Sequence, residues 1–248
     1  MIKIKKEFTE FKLLLRSIPG ILTSFFLISV FTMNLLANKS ISLPVDWLAL
    51  DCGIIVSWFS FLVLDIITKH FGVKASNQLT VLAIAVNLAM CLVFFIASVI
   101  PGIWGESGVY GSEKIINTAL DNTFGGTWYV LLGSTIAFAA SALVNNFTNF
   151  GIGKLCKSNP DGIAAYVLRT YISTAIAQFV DNILFALIVS HFFFGWTIVQ
   201  CITCAATGML VELICEVAFS FIGYKICAKW KRENLGKEYF EFAKGETE

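Results

Sequence analysis

Asp181 stands in an apolar run, Ile163 to Phe193, with Thr174, Gln178 and Asn182 at spacings that put all four on one side of a helix. A carboxylate accepts hydrogen bonds, and an amide both donates and accepts. Together they match the edge of a guanine-like ring, which offers a ring N–H and an exocyclic amine beside a carbonyl. The preceding uncharged run, Asn122 to Gly153, carries a matching stripe in Ser141, Asn145 and Asn149, one helical turn apart, with Asn146 beside it. Amides of this kind also glue helices together in lipid, at around 0.6 kcal/mol each, and for any single Asn that explanation suffices. Two facing stripes plus a carboxylate exceed what packing requires. They predict a lined polar cavity for a small planar solute.

Other ionisable residues fall inside apolar runs, where each costs at least about 2.5–3.5 kcal/mol to insert. Glu212 and Glu216 are i, i+4 neighbours and repel when both are charged. Such a pair is a candidate proton relay, and with Arg169 a candidate for charge coupling. The alternative, on equal footing, pairs one acid with Arg169 and the other with Lys225 or solvent. Asp51 and Asp65 share a helix face about 21 Å apart at ~1.5 Å per residue, each near enough to a helix end to reach the interface. For Asp51 a structural role is the preferred reading, and for Asp65 both readings stand.

Enzyme chemistry finds little here. The two His, His70 and His191, fall in no metal-ligand spacing, no nucleophile–base–orienter grouping occurs, and no Gly-rich phosphate loop is present. Cys201-Ile-Thr-Cys204 is the only close Cys pair and lacks the second pair a zinc site needs, so it reads as helix packing. The seven Cys lie mostly in apolar runs, where Cys acts as a small hydrophobe. No enzyme activity, cofactor or metal is expected.

The elements that position these residues follow from composition. Of 248 residues, 57% are hydrophobic and only 14% charged, against roughly a quarter charged in a soluble domain. So few charges cannot cover the surface of a water-soluble protein of this size. That excludes an ordinary cytosolic enzyme, a disordered chain and a nucleic-acid binder. A span needs roughly 20 mostly apolar residues. The sequence predicts one all-α, polytopic membrane domain over residues 1–248, with spans at about 18–38, 47–67, 79–100, 128–150, 163–193 and 196–222.

Orientation follows the Lys and Arg in the connections. Lys3, Lys5, Lys6, Lys12 and Arg16 precede the first span. Lys69 and Lys74 follow the second, Lys154 and Lys157 follow the fourth, and the tail holds Lys225, Lys229, Lys231, Arg232, Lys237 and Lys244. The opposite side carries only Lys39 and Lys114. Both termini are therefore expected in the cytoplasm, with the first span a retained anchor and not a cleaved signal peptide. Residues 1–16 read as a basic amphipathic helix on the inner leaflet, with Ile4, Phe8, Phe11 and Leu15 recurring at helical spacing. The tail 231–248 alternates charges and reads as a solvated helix or frayed end.

The segment Asp65-Ile-Ile-Thr-Lys-His-Phe-Gly72 resembles the D-x-x-T-[acidic or basic]-x-[aromatic]-G signature of the queuosine precursor transporters, also described as the vitamin uptake transporter family. Ser173-Thr174, Gln178, Asp181-Asn182 and Phe185 are similar to that family's fifth-helix pattern S-T-x-x-x-[NQ]-x-x-D-[TN]-x-x-F, and Arg169 resembles a basic residue often found before it. The resemblance implies bacterial inner-membrane import of 7-deazaguanine precursors of the tRNA nucleoside queuosine. By that match Asp65, Gln178, Asp181 and Asn182 line the site. The implied fold resembles the six-helix substrate-binding subunits of energy-coupling-factor vitamin transporters. Lys69 departs from an acidic position of the family, and Glu212 stands where a sixth-helix Lys is common.

The leading expectation is thus an importer of a queuosine precursor in the cyano, aminomethyl or free-base class, binding it through Asp181, Gln178, Asn182, Asp65, Asn145, Asn149 and Thr174. One alternative is a substrate-binding subunit that needs a separate ATPase as energising partner. Another is a membrane enzyme or metal site using Glu212, Glu216 and His191. A third is a structural protein whose polar residues only pair helices. The bilayer and a small molecule are the expected partners, and nucleic acid is not one.

Overall fold

The computed structural model describes residues 2–104, 113–155 and 171–245. It is mostly helical (84%), which places the chain in the all-α class. In chain order the elements are α1 (Ile2–Ser17), α2 (Gly20–Leu36), β1 (Ser40–Ile41), β2 (Leu50–Asp51), α3 (Ile54–Phe71), α4 (Val73–Val99), α5 (Glu113–Leu155), α6 (Ser173–Phe185), a π-helical segment Ala186–His191 closed by the turn Phe192–Phe194, α7 (Ile198–Arg232) and α8 (Lys237–Lys244).

Among the described residues, four helices are long and apolar enough to cross a membrane: Ile54–Phe71, Val73–Val99, Ser173–Phe194 and Ile198–Phe219. A fifth arises if the helix pair Lys5–Ser17 and Gly20–Leu36 counts as one broken span; the two are bent by 104° at the break around Pro19. Exposed Ile21, Ile28, Val81, Leu92, Ile202 and Ile214 on these helices present the apolar surface that lipid requires.

Two compact units make up the chain. The first comprises Met1–Thr32, Val56–Val86 and Cys215–Glu248. Its core joins Leu14 and Ile18, Phe26, Val63, Ile66 and Ile67, Ala75 and Leu79, Trp230 and Tyr239. Gly72 ends α3 at φ 92°, a left-handed conformation natural to glycine, and lets α4 start at the next residue. Gly236, at φ 83°, precedes α8 and presses on the Phe71 ring where a Cβ would collide. The tail is accordingly not solvated throughout: α8 packs against α1 and buries Tyr239. Lys74 bridges to Glu10 at 2.6 Å and to Glu7 at 2.9 Å, which fixes the rotation of α1 about its axis.

Met33–Ile55 and Asn87–Ile214 form the second unit. Here the structure departs from a continuous helix over 47–67. Leu50–Asp51 pairs antiparallel with Ser40–Ile41, and α3 begins only at Ile54. The Asp51 carboxylate accepts the Gly53 N–H at 2.7 Å, an Asx-type turn that satisfies a donor just before the helix. The hairpin is tied to the first turns of α7: Gln200 Nε2 donates to the Asp46 carbonyl at 2.9 Å and Thr203 Oγ1 to that of Trp47 at 2.8 Å.

Candidate functional site

Within the second unit α5 and α6 pack antiparallel. Gly133 of α5 sits against Val189, so closely that a Cβ there would collide with it. About two turns further (~12 Å along the axis), Ser141 of α5 meets Asp181 of α6. The backbone beyond Phe185 widens from α to π geometry over Ala186–His191, beside the Gly133 contact. π turns cost regular hydrogen bonding and concentrate at functional sites.

Asp181 is the centre of the polar group. Its Oδ1 lies 3.1 Å from Ser141 Oγ, which also lies 2.9 Å from the Phe138 carbonyl. One residue on, Asn182 Nδ2 donates to Glu212 Oε2 of α7 at 3.3 Å. Gly208, one turn before Glu212, leaves room for that amide: a Cβ on it would sit 2.8 Å from Asn182 Nδ2. Gln178 is 4% exposed, and among the described residues its Oε1 has no partner. A buried acceptor without a donor is costly, at about 1–3 kcal/mol, unless a ligand or water supplies one. Three helices thus bring together two carboxyl groups, two amides and a hydroxyl.

The remaining expected site residues are distributed as follows. Thr174 is half-buried on α6, one turn before Gln178. Asp65 belongs to the first unit, where its carboxylate is 3.9 Å from Lys69. The backbone of Asn145, Asn149 and Glu216 is helical, but their side chains lie outside the described residues, as does Arg169 altogether. His191 engages the Trp196 carbonyl near the start of α7. Glu212 is ~21 Å further along that helix, so the two do not share a ligand. Cys201 is buried and donates to the Ala186 carbonyl at 3.5 Å, a packing contact.

Sequence reasoning missed Asn34 on α2 and Asn87 on α4, 5% and 3% exposed respectively. Each is a lone amide in an apolar run, and that isolation was the available signal. Asp51 has a structural role, its carboxylate closing the turn before α3, and enclosure of the carboxyl pushes its pKa up to about 6, against the lowering effect of the Gly53 N–H. Cys204, beside the Asp51 backbone, stands about two turns (~12 Å) before Glu212 on α7, which sets the hairpin apart from the polar group.

Apolar helices of membrane-crossing length define a polytopic membrane protein, and its second unit buries a group of acids and amides. Comparison with known proteins specifies the class. Residues 51–226 match the family described as "Putative vitamin uptake transporter", and the chain belongs to that family. No curated protein and no solved structure matches it. The family is one of transporters and carries a small-molecule substrate across a membrane.

Proposed function

We propose that this protein imports a small planar, hydrogen-bonding solute, a 7-deazaguanine precursor of queuosine, across the bacterial inner membrane. The observation that carries the reading is the convergence of Asp181, Asn182 and Glu212 beside the unpartnered Gln178 Oε1. An acceptor-rich cluster of this kind suits a ring that presents N–H and amine donors on one edge. Asp181 and Gln178 would take those donors, Asn182 would orient Glu212, and Ser141 would hold the Asp181 carboxyl. Thr174, Asn145 and Asn149 would extend the polar lining along the same helices. Transporter sites lie near the bilayer midplane where helices are interrupted, and the π segment after α6 supplies such an interruption.

We read the fold as six crossings, formed by α2, α3, α4, α5, α6 with its π extension, and α7, with α1 and α8 in the cytoplasm. A six-helix membrane domain would resemble the substrate-binding subunits of energy-coupling-factor transporters. An energising partner would then be needed for accumulation.

The test is uptake in cells unable to make queuosine precursors, scored by tRNA modification with each precursor supplied at low concentration. Restoration of queuosine by one precursor, lost in Asp181→Ala with the protein still present in the membrane, is the expected result. Failure of every precursor to restore modification would reject the assignment.

A further inference from the structure

In the first unit, α1 sorts its charges by face. Its two acids, Glu7 and Glu10, share Lys74 of α4, at 2.9 and 2.6 Å. Glu10, Leu14 and Ile18 are buried on that side, the last two in the core of the unit. Lys5, Lys12 and Arg16 are exposed on the opposite side, at spacings of seven and four residues. Among the described residues no carboxylate lies within ion-pair distance of any of the three. Phe8, one turn from both Lys5 and Lys12, stands 68% exposed beside them.

The bend after α1 sets where that face lies. α1 and α2 meet at 104° around Pro19. With α2 standing across the bilayer, as proposed above, α1 lies close to the membrane plane. Because the bend exceeds a right angle, the N-terminal end of α1 leans back toward the side on which α2 runs, which is the bilayer side. The contacts of Glu7 and Glu10 with Lys74 hold the rotation of α1, so the basic strip stays turned away from the core. A helix lying in the interface plane buries an apolar ring such as Phe8 at the acyl boundary and keeps its Lys and Arg among the headgroups.

We propose that Lys5, Lys12 and Arg16 form a binding strip for the phosphate headgroups of anionic phospholipid in the leaflet that α2 enters, with Phe8 set into the acyl boundary beside them. The inference goes beyond the import reading and rests only on α2 as a crossing. Three cations and no acid on one face fit a headgroup whose phosphodiester carries a net negative charge. A zwitterionic headgroup brings its own ammonium to the same strip and is held more weakly. Lys74 serves the strip indirectly, by keeping both acids of α1 away from it.

The experiment titrates the purified full-length protein in detergent with phosphatidylglycerol or with phosphatidylcholine of the same acyl chains, and counts bound lipids by native mass spectrometry. The wild type should hold phosphatidylglycerol about tenfold more tightly. Lys5→Gln/Lys12→Gln/Arg16→Gln should lose that preference, with phosphatidylcholine binding and melting temperature unchanged, since all three side chains are exposed. Lys231→Gln/Arg232→Gln/Lys244→Gln removes three exposed bases near the other end of the chain and should keep it. Equal loss in both triple variants reduces the binding to net charge and overturns the strip, as does a wild type without preference. Displacement of phosphatidylglycerol by glycerol phosphate at equal concentration makes this a soluble-anion site and overturns the lipid assignment. Reporter fusions ahead of α1 and in the 40–51 hairpin read the crossing separately. If they report opposite sides of the membrane, a failed preference rejects the strip alone; if they report one side, the crossing falls and the strip with it.

Discussion

A single hydroxyl is the described partner of the Asp181 carboxyl, and that makes the two residues separable by experiment. Ser141→Ala removes one hydrogen bond and leaves the carboxyl in place. Asp181→Asn keeps the shape but replaces an acceptor with a donor. Uptake should fall about tenfold in Ser141→Ala, which loses one hydrogen bond, and by a larger factor in Asp181→Asn, which alters the group proposed to face the solute. Equal uptake in Asp181→Asn and wild type would reduce the cluster to a helix seam. Asp181 was legible in the sequence because an acid in an apolar run is expensive and stands out. Asn34 was not, because one amide among apolar residues costs little and is common between packed helices. Asp51 supplies a pH test at the same scale. Burial raises its pKa to about 6, so the fold favours the protonated form. Its contribution to stability is present below the unfolded value of 3.8 and is lost as pH rises through about 6. Asp51→Asn, which can still accept the Gly53 N–H, should raise the melting temperature at pH 7.5 and flatten its fall between pH 4 and 7. A melting profile unchanged by the substitution would count against that burial.

At the scale of elements, small residues decide how close the helices come. Gly208 lets Asn182 reach Glu212, and a side chain there would occupy the position of the amide. Gly208→Val should therefore displace Asn182 and reduce uptake about tenfold or more, while Gly20→Val, which has open space around it, should not. Uptake assays on both variants, normalised to protein in the membrane, decide the matter. Helix existence was legible from the uncharged runs, because hydrocarbon demands about 20 apolar residues for each crossing. The hairpin was not. Residues 47–53 are apolar enough to continue a helix, and only pairing with the distant Ser40–Ile41 turns Leu50–Asp51 into a strand. The π segment was likewise hidden, since nothing in Ala186–His191 departs from helical composition. Its neighbour Gly133 offered the one clue, a small residue where two helices approach closely.

At the scale of the whole molecule, the ends of the chain constrain how many times it crosses the membrane. α1 and α8 pack against each other in the first unit, with Leu14 and Tyr239 in one core. With both helices outside the bilayer, as proposed, they lie on the same side of it and the crossings between them are even in number. The four apolar spans together with α2 make an odd number. In the six-crossing arrangement proposed above, α5, 43 residues long with the uncharged run Asn122 to Gly153, supplies the crossing that makes the number even. On the proposed topology, the Lys and Arg distribution would put the shared side in the cytoplasm. Lys74 links this end of the molecule through Glu10, which is buried. Lys74→Met would leave that acid unpaired; because Lys74 is itself half exposed, the cost should be about 2 kcal/mol, below the ~3–5 of a fully buried pair. Reporter fusions should read the N terminus, the α3–α4 junction at Gly72 and the C terminus as cytoplasmic, and the 40–51 hairpin and the start of α5 as external. A fusion series placing α1 and α8 on opposite sides would break the parity argument, and the six-crossing arrangement with it. A lower melting temperature in Lys74→Met with the fusion pattern unchanged would show that this ion pair holds α1 against the start of α4 without deciding the topology.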